Sequence, residues 1–146
     1  MSVKGTDADQ MATIIIQEND SAVLDVLTMA LRLEGHHPIG ILGTCPLAML
    51  NTVKRNFPDL VLMDYRNRDN GGTTLLSVVK NLKAKLPVIA LSSELNISKI
   101  ANKLGFDDFI IKPFDLEDLF NTVKRYLISC GTLPHQINPS PAGQTS

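Results

Sequence analysis

The stretch Leu60-Val61-Leu62-Met63-Asp64 decides the fold, because an uninterrupted apolar run ends there in a carboxylate. A short apolar run of this kind is typical of a strand buried on both faces of a parallel sheet. Open α/β sheets build their sites at the carboxyl ends of such strands. We therefore predict an α/β protein in which Asp64 lies on the functional edge of the sheet.

Three more apolar runs end in polar side chains in the same way. Glu18, Asn19 and Asp20 follow the first run, Ser92 ends another, and Lys112 follows a third. Each of these residues alone could be an ordinary turn or surface residue. Their recurrence at successive strand ends, as acids, a hydroxyl and an ammonium, indicates phosphoryl chemistry with a divalent cation.

Strand and helix patterns alternate five times along the chain. The predicted strands cover residues 13–16, 38–42, 60–64, 88–91 and 109–111. This alternation predicts a parallel sheet with helices on both faces, and right-handed crossovers favour the strand order 2-1-3-4-5. The predicted fold class is a doubly wound, flavodoxin-like (βα)5 three-layer sandwich. Pro38 indicates that the second strand starts late or lies at an edge, and Leu50, Val53 and Phe57 form the apolar face of the second helix.

Length and composition are those of one globular domain, with 146 residues, 44% of them hydrophobic and 20% charged. We predict a flexible tail over residues 1–11 and one folded domain over residues 12–129. The segment 130–146 carries three prolines and few apolar side chains, which predicts a disordered tail or linker.

Charge and targeting signals narrow the class of protein. The net charge of −1 gives no electrostatic case for binding nucleic acid or an anionic membrane. No apolar stretch reaches the length of a membrane span, and the polar N-terminus lacks a signal-peptide apolar region, so the default prediction is a cytoplasmic protein. Cys45 and Cys130 form neither a CxxC pair nor a metal-ligand spacing, which predicts reduced structural thiols.

The strand-end residues have complementary chemistry. Neighbouring carboxylates are costly unless a cation compensates them. Glu18, Asp20 and Asp64 lie near the amide oxygen of Asn19, and such hard oxygen ligands suit Mg²⁺. An ionised Asp64 is a competent nucleophile towards phosphorus. Lys112 can bind a phosphoryl oxygen as a point charge, and Ser92 can donate a hydrogen bond to another.

Together these motifs resemble the receiver domain of response regulators in two-component signalling. The resemblance covers about residues 12–129, and its marks, besides Gly72, are IIIQEND at 14–20, LVLMD at 60–64, LSS at 91–93, GFDDF at 105–109 and KPF at 112–114. The resemblance implies a switch in which Asp64 is the phospho-acceptor. The phosphoryl donor would be a phosphohistidine of a sensor histidine kinase or of a histidine phosphotransfer protein.

The resemblance also implies the roles of the other site residues. Glu18 and Asn19 match the acidic pair that holds Mg²⁺ together with Asp64 and the backbone carbonyl of Arg66. Ser92 and Lys112 match the hydroxyl and the lysine that assist phosphoryl transfer. In addition, Ser92 and Phe109 match the hydroxyl and the aromatic residue that form the family's conformational switch. The Lys112–Pro113 bond matches a peptide bond that is cis in the family.

The chain departs from the family pattern at four positions. Glu18 and Asn19 stand where the family usually has two aspartates. The second residue after Asp64 is Arg66, and Arg68 replaces the usual proline. Fewer negative charges and a nearby cation predict weaker Mg²⁺ binding than is typical. Arg66 is expected either to contact the phosphoryl group or to exclude the hydrolytic water, and so to lengthen the phosphorylated lifetime.

Three alternatives remain beside the phosphorylated switch. Asn19, Arg66 and Arg68 favour an atypical pseudo-receiver that binds proteins without being phosphorylated. A phosphohydrolase with an aspartyl intermediate would need a second acid where Arg66 stands. A flavin carrier would need a phosphate-binding loop after the first strand, which residues 17–22 do not supply.

We therefore expect no enzymatic activity beyond the chain's own phosphorylation and dephosphorylation. The resemblance implies that helix 4, strand 5 and helix 5 form the surface that dimerises or binds protein targets. The net charge predicts no direct contact with nucleic acid or membrane. The charges on that region are mixed, which fits either a self-pairing face or an ordinary solvated surface.

Overall fold

The computed structural model describes residues 11–67 and 71–129. The C-terminal tail predicted at 130–146, the N-terminal tail apart from Met11, and Arg68 lie outside the described residues. Within the described part of the chain, no helix combines the length and the apolar character needed to cross a membrane.

Five parallel strands form one sheet in the order β2-β1-β3-β4-β5, which confirms the predicted fold and topology. The strands are β1 Thr13–Glu18, β2 His37–Leu42, β3 Leu60–Asp64, β4 Val88–Ser92 and β5 Asp108–Ile111. The helices are α1 Ser21–Leu33, α2 Pro46–Asn56, α3 Gly71–Leu82, α4 Ile97–Leu104 and α5 Leu116–Ser129.

The three central strands carry the apolar runs, and every residue of β3 and β4 is buried. β2 lies at one edge of the sheet, and of its six residues Pro38 and Ile41 are buried. Pro38 lies inside this edge strand, where its missing N–H is tolerated. The edge position predicted from Pro38 is therefore confirmed, whereas the strand does not start late, since it begins at His37.

Side chains of the sheet alternate between two apolar layers. Ile14 and Ile16 pack with α1 and α5 on one face, whereas Ile15 packs with α2, α3 and α4 on the other. This three-layer arrangement buries both faces of the central strands. Their carboxyl ends therefore meet on one edge, which carries β1, β3 and β4 side by side.

The apolar face predicted for α2 is wrong at its last residue, Phe57. Phe57 is 72% exposed, and the buried residues of α2 are Met49 and Val53. The helix ends at Asn56 because Pro58 disfavours the α conformation in the residue before it. Phe57 instead takes a left-handed conformation with φ 47°, which points its ring outward, where Lys83 lies 5.4 Å from the ring centroid.

The site-bearing edge is shaped by the first residues after β1. The Asp20 carboxylate caps α1 by accepting hydrogen bonds from the N–H groups of Ala22 and Val23, at 2.9 and 3.2 Å. This geometry is that of an N-cap, and it turns the Asp20 carboxylate towards the helix. The predicted carboxylates that remain at the strand ends are those of Glu18 and Asp64.

Candidate functional site

Lys112 joins two buried carboxylates at the carboxyl edge of the sheet. Its Nζ lies 2.7 Å from Glu18 Oε1 and 2.9 Å from Asp64 Oδ1. Glu18 is fully buried, and Asp64 is 3% exposed. Strands β1 and β3 supply the two acids as neighbours, and the lysine follows β5, so the three predicted residues do converge.

The second carboxylate oxygen of Asp64 has two further partners. Asn19 Nδ2 donates a hydrogen bond to Asp64 Oδ2 at 2.8 Å, and Arg66 Nε lies 3.5 Å from the same oxygen. The Arg66 side chain is 43% exposed, so it reaches the acid from the solvent side. The Asp64 carboxylate therefore faces two cations and one amide.

These partners keep Asp64 ionised. Burial by itself would raise the pKa of its carboxyl group. The hydrogen bonds from Lys112 and Asn19, together with the charges of Lys112 and Arg66, outweigh burial and hold the pKa below the ordinary value. A carboxylate that stays charged at neutral pH is the form that can act as a nucleophile.

The oxygen atoms at this edge suit a hard cation as ligands, although among the residues that end the five strands only Glu18 and Asp64 supply charged ones. Glu18 Oε2 accepts from the backbone N–H groups of Asn19 and Asp20, at 3.0 and 3.1 Å, which holds its carboxylate in place. In the described part of the chain, no group of three or more His, Cys, Asp or Glu side chains could hold a metal ion. A cation here would therefore rely on two carboxylates and on neutral oxygens, a set that fits Mg²⁺.

A cleft of about 510 Å³ opens onto Asp64. Its lining residues are Glu18, Asp20, Val23, Asp64, Tyr65, Arg66, Asn67, Ser93, Glu94 and Lys112. Glu94 Oε2 accepts from the backbone N–H of Asn67 at 3.0 Å, which joins the loops after β3 and β4 across the cleft. This volume admits a phosphoryl group with its surrounding waters.

The two predicted switch residues, Ser92 and Phe109, lie on β4 and β5 and are not among the residues that line this cleft. Ser92 is fully buried at the end of β4, and its Oγ accepts from the backbone N–H of Glu94 at 3.1 Å. Phe109 is half-buried in β5 and packs against the apolar layer of α2, α3 and α4. The Lys112–Pro113 peptide bond is cis.

Sequence analysis missed Gln17 and Glu94. Gln17 is fully buried in β1 and hydrogen bonds to the backbone of Asp64, although its side chain lies outside the carboxylate cluster. A polar residue inside the apolar run that precedes Glu18 was the available signal. Glu94 gave no signal, because its contact with Asn67 depends on how two loops meet.

A five-stranded parallel sheet with a lysine between two strand-end carboxylates defines a receiver-type α/β domain. The family described as "Response regulator receiver domain" matches residues 14–124. The chain therefore belongs to the response-regulator receiver family of two-component systems.

Named relatives agree with this assignment. The chain is 30% identical over 136 residues to the DNA-binding transcriptional regulator NtrC of Azospirillum brasilense, covering 91% of this chain and 27% of that protein. It resembles the structure of a CheY-like receiver domain protein from Methanospirillum hungatei JF-1, with a TM-score of 0.71 and 26% identity, covering 84% and 98% of the two chains. NtrX from Brucella abortus, solved with ADP, gives a TM-score of 0.73 at 27% identity, over 84% of this chain and 28% of that chain. The chain spans about half or less of the length of the first curated relatives that it matches.

Proposed function

We propose that this chain is a cytoplasmic phosphorylation switch in which Asp64 accepts a phosphoryl group from a phosphohistidine. The donor is a sensor histidine kinase or a histidine phosphotransfer protein. The observation that carries the proposal is the buried, ionised Asp64 carboxylate with Lys112 Nζ 2.9 Å from its Oδ1, at the mouth of an open cleft. Family membership supports it.

The transfer itself needs little covalent chemistry from the protein. One oxygen of the Asp64 carboxylate attacks phosphorus, the P–N bond to the donor imidazole breaks, and the imidazole leaves with a proton from solvent. Lys112, whose Nζ lies 2.9 Å from Asp64 Oδ1, would bind the phosphoryl oxygens as the phosphoryl group moves onto Asp64. Ser92 is placed at the neighbouring strand end, where its hydroxyl can donate to the phosphorylated group.

Mg²⁺ would be held by Glu18, Asp64, Asn19 and the backbone carbonyl of Arg66. When bound, it neutralises charge on the acceptor and on the phosphoryl group. The Asn19 amide carries no charge and Arg66 adds a positive one, so we expect binding weaker than two aspartates would give. Lys112 and Arg66 already compensate the acids, which supports the same expectation.

The alternative of a phosphorylation-independent binding module is less well supported. The pairing of Asp64 with Lys112 and the family assignment support the switch. The named relative NtrC is a DNA-binding regulator, but the match covers only 27% of that protein. For this chain, with its net charge of −1, we propose protein partners rather than nucleic acid.

We further propose that the surface formed by α4, β5 and α5, here called the output face, changes its contacts after phosphorylation. Phe109 lies in this face and Ser92 ends the adjoining strand. Movement of Ser92 towards a phosphoryl group would open space for the Phe109 ring. The output face would then pair with a second copy or with a protein target.

Binding of beryllofluoride, an acyl-phosphate mimic, tests the acceptor directly. We expect saturable, Mg²⁺-dependent binding with amide NMR shifts at Asp64, Ser92 and Phe109, and its loss in Asp64→Ala. The matched control is Asp25→Ala, which removes an exposed acid of α1 and should bind as wild type does. Absence of binding to the wild type at millimolar Mg²⁺ would overturn the proposal and favour a pseudo-receiver.

A further inference from the structure

Gln17 is a fully buried amide in an otherwise apolar layer. Side chains alternate along β1, so Gln17 lies on the same face as Ile15, which packs with α2, α3 and α4. Met63 and Tyr65 belong to that same layer. A buried amide is costly unless it is hydrogen-bonded, so its partners explain why the fold tolerates it.

One partner of Gln17 is the backbone of the phospho-acceptor. Gln17 Oε1 accepts a hydrogen bond from the Asp64 N–H at 3.1 Å. The paired register of β1 and β3 ends at Gln17 and Met63, so Asp64 lies one residue beyond it. The Gln17 side chain thus supplies an acceptor where the strand ladder stops, while Tyr65 N–H donates to Leu91 O on the β4 side at 2.9 Å.

The other partner is the loop between β2 and α2. Gln17 Nε2 donates to the carbonyl oxygen of Gly43 at 2.7 Å. The N–H of Gly43 in turn donates to the backbone oxygen of Glu18 at 3.0 Å. These two hydrogen bonds tie the loop to the end of β1, and Gly43 there has φ 94°, a conformation that favours glycine.

We propose that Gln17 is a positioning residue that fixes the backbone of Asp64 and couples it to the β2–α2 loop at Gly43. The inference rests on the proposed function, in which Asp64 is the acceptor. Gln17 acts from the face opposite to the Asp64 carboxylate. It therefore holds the acceptor in place and leaves both carboxylate oxygens to Lys112, Asn19 and Arg66.

The first test replaces Gln17 by methionine, which has a similar length and can neither donate nor accept as an amide does. We expect the Asp64 backbone amide of Gln17→Met to lose hydrogen-exchange protection and to shift upfield, because its acceptor is gone. Phosphorylation by phosphoramidate should slow about tenfold, since small misplacement of a reacting group is costly in rate.

The matched control is Leu127→Ala, a truncation in the apolar layer of α1 and α5, near the end of α5. It should lower the unfolding temperature without moving the Asp64 amide or the relative phosphorylation rate. If the Asp64 amide signal, its exchange protection and the phosphorylation rate of Gln17→Met equal those of the control, the inference is wrong.

A second test measures the coupling to the loop. A Cβ at Gly43 meets no atom within 4 Å, so Gly43→Ala acts through its backbone conformation alone. We expect Gly43→Ala to shift the Asp64 amide in the wild-type background and to shift it much less in the Gln17→Met background. Equal shifts in both backgrounds would overturn the coupling.

The two proposals fail in different ways. A wild-type chain that accepts no phosphoryl group from phosphoramidate contradicts the proposed function, whereas the amide measurements still decide the role of Gln17. If Gln17→Met does not fold, Gly43→Ala alone still decides, because an unchanged Asp64 amide in that variant contradicts the coupling. A shifted Asp64 amide supports it.

Discussion

Arg66 is the residue whose placement separates this site most clearly from the family pattern. Its Nε lies 3.5 Å from Asp64 Oδ2, and the side chain is 43% exposed. A partly exposed ion pair contributes little to stability, so this contact is poorly explained as a structural one. Under the proposed function, its position on the solvent side of Asp64 is expected to affect the phosphorylated state instead.

We expect Arg66→Ala to shorten the lifetime of the aspartyl phosphate by roughly three- to tenfold, a barrier change of about 0.6 to 1.4 kcal/mol. The guanidinium would otherwise contact the phosphoryl group or keep the hydrolytic water away. Decay of the radiolabelled phosphoprotein measures this rate. Arg32→Ala, an exposed change in the last turn of α1, is the control. Equal decay in both variants would show that Arg66 has no such role.

At the scale of single elements, the turn from β1 into α1 places two acids in different surroundings. Glu18 is held inside the site by two backbone N–H groups and by Lys112, whereas Asp20 caps α1. Sequence analysis grouped the two acids because they are neighbours in the chain. The sequence pattern does favour Asp20 or Ser21 as the cap of this helix, and the structure shows that the cap is Asp20.

The capping role of Asp20 can be separated from its charge. Asp20→Ala should lower the free energy of unfolding by about 1 kcal/mol, because the N–H groups of Ala22 and Val23 lose their acceptor. Asp20→Ser keeps a capping oxygen and removes the charge, so it should stay within a few tenths of a kcal/mol of wild type. Urea unfolding measures both. Equal losses in the two variants would assign the effect to charge instead.

At the scale of the whole molecule, the topology was predictable and the contacts were not. Apolar runs ending in Glu18, Asp64 and Ser92 specify strands, and the handedness of crossovers then brings their ends to one edge. The hydrogen bonds of Gln17 and the bridging position of Lys112 depend on side-chain packing between residues far apart in the chain. The ring of Phe57 is exposed because Pro58 ends α2 before Phe57, which then takes a left-handed conformation.

Self-association is the whole-molecule property that the proposed switch should change. On the output face, Asp108 pairs within the chain with Arg125 at 3.3 Å. Next to that face, Asp107 just before β5 pairs with Lys80 of α3 at 2.7 Å. These internal pairs leave less acidic charge for a second copy, so we expect a monomer before phosphorylation. Light scattering should show the mass approaching that of a dimer when beryllofluoride and Mg²⁺ are added.

The matched control for this measurement is Asp64→Ala, which should scatter as a monomer under both conditions. A wild-type mass that stays monomeric with saturating beryllofluoride would show that the output face serves a different protein. A dimer that forms equally in Asp64→Ala would show that association is independent of the acceptor.

The ion-paired groups around Asp64 carry a further consequence. Glu18 and Asp64 contribute two negative charges and Lys112 and Arg66 two positive ones, so these four groups are balanced at rest. A stray cation or a stray phosphate that arrives alone upsets this balance, whereas the two together largely offset each other. The site would thus act as a coincidence detector, because a metal ion and a phosphoryl group are expected to bind it more readily together than either does alone.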